Sequence, residues 1–175
     1  DWSLTATLTR AHRQALVSIV LGGILLDAAR IRQAVAELSS LEADDTRLGH
    51  HVEAALDRIV LQGQTPGFDW LLKLFDDLAL HASASFWDDF VLLRKSWQSL
   101  SGVIHDLAGK NTSPDPQLTR LALQSFLAEL PDRTMAAPDS ADFSTHVSNL
   151  DLLTLAISPA LISLRWWNRW AGKGH

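Results

Sequence analysis

At 175 residues, 47% of them apolar and 20% charged, the chain is long enough to bury the core of one globular domain without disulfides or a structural metal. It has no cysteine, which excludes disulfides, thiolate metal sites and cysteine nucleophiles, and its net charge of −5 argues against nucleic acid, which needs a basic face. Residues 1–175 read as a single all-α domain that, opening on Asp1 rather than methionine, is a processed part or fragment of a longer chain; the compartment stays open, with the cytoplasm favoured over a periplasmic or membrane-associated setting.

The first helix is expected over about Leu4–Leu41, capped by Ser3, with Leu4, Leu8, Ala11, Ala15 and Ile19 at three- and four-residue steps. Its section from Gln14 to Leu26 is uncharged and apolar on every side, so it belongs at the centre of the fold. Gly22 and Gly23 lie inside it and are read as a place where another helix crosses closely, because helical spacing is kept on both sides. After the acidic turn Glu42–Asp45, a second helix runs Thr46–Gln62 with Leu48, Val52, Ala55, Leu56 and Ile59 inward, and Gly63 ends it. A third opens at Thr65–Pro66 and buries Leu71, Leu74, Phe75 and Leu78.

Ser85 followed three residues later by Asp88 reads as a capping box for a long fourth helix, whose Phe86, Phe90, Leu93, Trp97, Leu100, Ile104 and Leu107 alternate steps of four and three up to a stop at Gly109. Lys110–Asp115 is a polar loop, and Asp115–Pro116 starts a fifth helix that ends near Leu130. Pro131–Asp139 is the longest break and the expected mobile loop. Beyond it the four-three rhythm returns in Phe143, Val147, Leu150, Thr154, Ile157, Leu161 and Leu164, with a kink or break near Ser158 because Pro159 falls inside the run. No segment alternates with period two, so the fold expected is a helical bundle of about six or seven helices with no sheet.

Candidate chemistry is thin. His50 and Glu53 are one helical turn apart, as are Asp77 and His81, and these four are the only side chains worth weighing for a metal or an oriented imidazole. The first pair is also what a solvated helix face contains, and the second is equally what a half-buried histidine held by a local hydrogen bond looks like. The paired aspartates Asp76–Asp77 and Asp88–Asp89 lack the third carboxylate one turn on that a magnesium–diphosphate site needs. No phosphate-cradling glycine loop or serine-nucleophile elbow occurs, so the sequence implies no catalytic set and no cofactor.

The C-terminal stretch is the most distinctive. A charge-free run from Leu152 to Leu164, read as buried core, leads into Arg165, Trp166, Trp167, Asn168, Arg169 and Trp170. On a helix Trp166 and Trp170 share one face, and Arg165 and Arg169 an adjacent one. This end either docks on the body of its own bundle with the arginines at the rim, the commoner fate of tryptophan, or presents these residues to another protein. Trp and Arg dominate the energetic centres of protein interfaces. The expectation is therefore a non-enzymatic interaction module or assembly subunit that meets a protein partner, or a second copy of itself, through Arg165, Trp166, Trp167, Arg169 and Trp170. The alternatives are a helical enzyme or metal protein built on His50, Glu53, Asp77 and His81, and a domain that touches a membrane surface through the same C-terminal helix, since Trp beside Arg also marks membrane interfaces.

Overall fold

The computed structural model describes residues 7–108 and 115–172, apart from the side chains of 105, 108 and 115–119. The cap expected at Ser3, the stop at Gly109 and most of the polar loop after it lie outside the described residues. Within them the chain is all-α: eight helices and no strand, with one isolated antiparallel bridge between Ser39 and Phe86. The count exceeds the expected six or seven mainly because the long first helix is two.

That division is made by two residues. Helix α1 (Arg10–Ile24) starts where the Thr9 side chain accepts the His12 N–H at 3.1 Å. It ends where Leu26 takes a left-handed φ of 51°, so that its N–H reaches the carbonyl of Gly23 at 3.2 Å and the N–H of Asp27 that of Gly22 at 2.8 Å. This closes the helix in the manner of a Schellman motif, with leucine where glycine is usual. Asp27 then caps α2 (Ala28–Ala36), its carboxylate accepting the Arg30 N–H at 3.1 Å. The chain doubles back so tightly that a methyl group on Gly22 would sit 2.6 Å from Ile31 of α2. A methyl on Gly23 would meet Pro66 at 2.9 Å and the Trp70 ring at 3.0 Å. The two glycines do admit close neighbours, as expected, but one of those neighbours is the second half of what had looked like a single helix.

Helix α3 (Thr46–Gln62) is capped by Asp45 and closed by Gly63 at a φ of 66°. Helix α4 (Phe68–His81) begins two residues later than expected, on Gly67, and Pro66 lies outside it against Gly23. Together α1 to α4 hold the core: Ile19, Ile31, Val35, Leu48, Val52 and Leu56 are enclosed with Trp70, Phe75 and Leu78. Trp70 satisfies its buried indole N–H on the Ala55 carbonyl of α3 at 2.9 Å, so the largest core side chain leaves no orphaned donor.

Helix α5 (Phe90–Ala108) starts later than the expected cap at Ser85. Ser85 is committed elsewhere: its N–H and hydroxyl go to the Ser40 side chain, at 3.0 and 3.3 Å, and its carbonyl accepts the Ser40 N–H at 2.9 Å. Phe86, Trp87 and Phe90 then cluster with Phe75 at ring separations of 4.9, 6.5 and 5.3 Å and anchor the start of α5. Trp97 is buried further along, donating to Asp69 at 2.6 Å and lying against Phe68. Beyond it Leu100 and Leu107 are exposed, so the expected stripe reaches the core only in its first half.

Helix α6 (Asp115–Arg133) runs past the expected end at Leu130 and carries Pro131 in its last turn. The turn persists because Arg133 is tied down on several sides. It donates to Glu129 and Thr145 at 2.7 Å each and to the Val147 carbonyl at 2.9 Å, and its guanidinium lies 4.0 Å from the Phe143 ring centre. Glu129 accepts in addition from the Ser144 hydroxyl and from the Thr145 N–H at 2.8 Å. Burial pushes the Glu129 carboxyl up, yet the bonds from Ser144, Thr145 and Arg133 outweigh it and hold the group down at about 2.

Helix α7 (Asn149–Ile157) opens on a complete capping box between Ser148 and Asp151. It stops before Ser158, and α8 (Pro159–Gly172) restarts with proline in its first turn, bent by 63° from α7. The break falls where Pro159 predicted it. The burial does not follow expectation. Gln14–Leu26 is largely enclosed, but no residue of α7 or α8 is buried, and Leu150, Ile157, Leu161 and Leu164 all face outward. The reason is saturation: α1 to α4 already close the core among themselves, and α8 lies on the outside of α3.

Candidate interaction surface

In helix α8 the i, i+4 spacing of Arg165 and Arg169 puts both guanidinium groups on one side. That side is turned to the body. Arg165 donates to the Leu25 carbonyl at 2.7 Å, at the break between α1 and α2, and pairs with the Asp27 carboxylate at 3.6 Å. Arg169 reaches α3, where it contacts Glu53 at 2.5 Å and Asp57 at 3.2 Å. Glu53 and Asp57 are themselves one turn apart, so one guanidinium bridges a carboxylate pair on the neighbouring helix. Helix α7 is fixed in the same way: Asp151 meets Arg30 of α2 at 2.7 Å, and Arg30 also donates to Ser18 of α1 at 3.1 Å. Burial raises the Asp151 carboxyl, while bonds from Ser148 and Arg30 lower it further, leaving it below the ordinary carboxylate range.

With the arginines inward, the tryptophans are left outward. Trp166, Trp167 and Trp170 remain 42%, 57% and 50% exposed. They support one another: Trp166 and Trp170 are 6.3 Å apart and 5° from parallel, and Trp167 lies 5.4 Å from Trp170. This is an aromatic ledge, carried by ion pairs on its underside. Helix α8 docks on the body through Arg165 and Arg169 and with Ile162 against the core, while the indole rings stay about half exposed.

The other named candidates are brought near one another and used differently. Glu53 is taken by Arg169, and the Asp77 carboxylate by Arg58 at 2.8 Å. His81 contacts the backbone carbonyl of Asp77 at 3.1 Å, so the imidazole is not oriented by the carboxylate. His50 is exposed, its ring 5.7 Å from His51, which is in turn stacked on His81 at 5.8 Å. Burial holds His51 below the usual imidazole range, with His50 as the next contribution. Among the described residues no group of three or more His, Cys, Asp or Glu is arranged to hold a metal ion.

No protein-family model, curated protein or solved structure matches this chain. The site must therefore be read from its own geometry. No single helix among the described residues is long and apolar enough to cross a membrane, while α7 and α8 together reach that length and apolarity across their bend. The partners Asp27 and Asp57 were not singled out as part of the C-terminal site by sequence reasoning. A signal for them existed: Glu53 and Asp57 repeat, on α3, the i, i+4 spacing of Arg165 and Arg169 on α8.

Proposed function

We propose that this chain is a non-enzymatic helical interaction module, a bundle whose C-terminal helix docks a protein partner through Trp166, Trp167 and Trp170. The observation that carries the reading is the division of labour on α8, where Arg165 and Arg169 hold the helix to the body and the three indole rings stay exposed, Trp170 lying against both of the others. A docking residue held in place before its partner arrives loses little conformational freedom on binding. Tryptophan is the residue most enriched where such binding energy concentrates. The carboxylates that an enzyme reading would use, Glu53 and Asp77, are occupied by Arg169 and Arg58.

The test is photo-cross-linking in the native host, with benzoylphenylalanine replacing Trp167 in the full-length protein. A discrete protein adduct, absent when the probe replaces exposed Leu80 on α4, is the expected result. Failure to form any protein adduct from position 167, in a variant with an unchanged circular dichroism spectrum, would overturn the reading.

Membrane contact through the same helices is the second reading, favoured by the length and apolarity of the bent α7–α8 pair. It ranks lower because the arginines that would meet lipid phosphates are engaged by Asp27, Glu53 and Asp57, and the chain as a whole is acidic. Sedimentation of the protein with phosphatidylserine-containing vesicles in physiological salt would reverse that ranking.

A further inference from the structure

The charged side chains of α7 and α8 are Asp151, Arg165 and Arg169, and each is turned inward to an opposite charge on the body. The outer side of the pair is therefore mainly apolar, with 41% of the paired Arg165 side chain still exposed, on a chain of net charge −5. It is formed by Leu153, Ile157 and Leu164 with the three tryptophans and their apolar neighbours. Summed around both helices, the exposed apolar side chains present on the order of 900 Å². A stable interface between two proteins covers roughly 800 Å² on each.

We propose that this surface pairs with the same surface of a second copy of the chain, as a two-fold symmetric dimer. The proposal rests on the reading of α8 as a protein-docking surface and names its occupant. In a two-fold contact each surface meets itself, so any net charge on it would face like charge. Here every charge on the two helices is neutralised within its own protomer, and two acidic chains can approach through this side without opposing charges at the centre. A partner recognised by charge would find nothing on this side to pair with. An anionic bilayer would find no free arginine and an acidic body behind it. An apolar, Trp-rich, area-matched surface of the same kind satisfies all three conditions, and another copy of the chain supplies one.

The test is light scattering coupled to size exclusion on the full chain, up to about 100 µM, a concentration that detects even weak pairing. The expected mass is twice 19.3 kDa. Trp167→Glu and, separately, Leu153→Lys each place a charge on the surface at an exposed position and should return the monomer with unchanged circular dichroism. Because the chain lacks cysteine, Leu164→Cys introduces a single thiol, which a short bismaleimide should link into a covalent dimer, whereas Leu80→Cys should give none. A monomeric full chain at that concentration overturns the proposal, as does a dimer that survives both charge substitutions. If the chain is monomeric and position 167 cross-links to a protein of another mass, the pairing fails while the docking reading stands. If it cross-links to no protein, both fail.

Discussion

Arg169 of α8 lies between the carboxylates of Glu53 and Asp57, one turn apart on α3 and 112 or more residues away in sequence. Its side chain is mostly covered, and this contact, with Arg165 on Asp27 and Ile162 against the core, fixes the C-terminal helix to the body. Arg169→Gln keeps length and some hydrogen bonding but removes the charge. The expected cost is about 1–2 kcal/mol at the α8 attachment, in the range for charge-assisted bonds that are partly solvated. Hydrogen exchange should show it as faster exchange confined to α7 and α8, with protection in α1 to α4 retained. Uniform loss of protection across all helices would mean that α8 is part of the cooperative core.

The glycine pair gives a sharper test of packing. Gly22→Ala would place a methyl 2.6 Å from Ile31, and Gly23→Ala one 3.0 Å from Trp70. Each gains helix propensity of about 1 kcal/mol relative to glycine. Each also overpacks a closed core, at a typical cost of about 1–3 kcal/mol. Gly22→Ala, whose contact is the closer, is expected to lower stability to urea. In a background of Ile31→Ala, which removes the Cγ1 atom that the methyl would meet, Gly22→Ala should cost less than it does in the parent chain. A stabilised Gly22→Ala single variant would contradict the close approach of α1 and α2.

Acid stability should depend on Glu129. Its carboxyl ordinarily titrates near 4.5 and is held at about 2 in the folded chain. A depressed acidic group stabilises the fold above its unfolded value, and that contribution is lost as pH falls from about 4.5 towards 2. At neutral pH it amounts to about 3 kcal/mol at most, since each tenfold change in proton affinity corresponds to about 1.4 kcal/mol. Glu129→Gln should therefore lower the melting temperature at pH 7 and flatten its dependence on pH below 4.5. An unchanged acid limb in that variant would remove Glu129 from this role.

His51 acts in a different window. Its imidazole is held below the ordinary value of 6.5 by burial and by His50, so protonation favours the unfolded chain. The corresponding stability is present above 6.5 and is lost as pH falls below that value. Replacing His51 with Gln should weaken the decline in stability between neutral pH and the onset of the Glu129 transition. Titration of the imidazole by NMR provides the direct check, with a folded value at or above 6.5 as the contrary outcome.

What the sequence could reveal divided along physical lines. Helices whose caps are side-chain signals, such as Asp45 with Gly63 around α3 and Pro159 at the start of α8, were legible to within a residue or two. The break between α1 and α2 was not, because Leu26 occupies a left-handed position that glycine usually marks, and the apolar spacing continues across it. Ser85 looked like a cap but spends its polar groups on Ser40, 45 residues away, and no local pattern encodes such a partner. The four-three rhythm in α7 and α8 correctly announced helices with an apolar side. Periodicity says that a side is apolar, not what covers it. The candidate surface was legible as to residues, Arg165 through Trp170. Its orientation was not, since that depends on Asp27, Glu53 and Asp57 being delivered to one place by separate segments of the chain.

The left-handed turn at Leu26 and Asp27 has a bearing on assembly order. It closes α1, opens α2, and presents the Leu25 carbonyl and the Asp27 carboxylate to Arg165, a residue 140 positions downstream of Leu25. The first part of the receptor for the tail is thus finished once the first hairpin of helices has formed, and α3 completes it with Glu53 and Asp57. During synthesis the N-terminal half emerges and closes while α8 is still unmade, so the last helix arrives at a berth already built rather than taking part in building it. Such a segment is the last to join the fold and the first to leave it, and the aromatic ledge it bears is accordingly governed by two arginines and one isoleucine, Ile162, rather than by enclosure in the core.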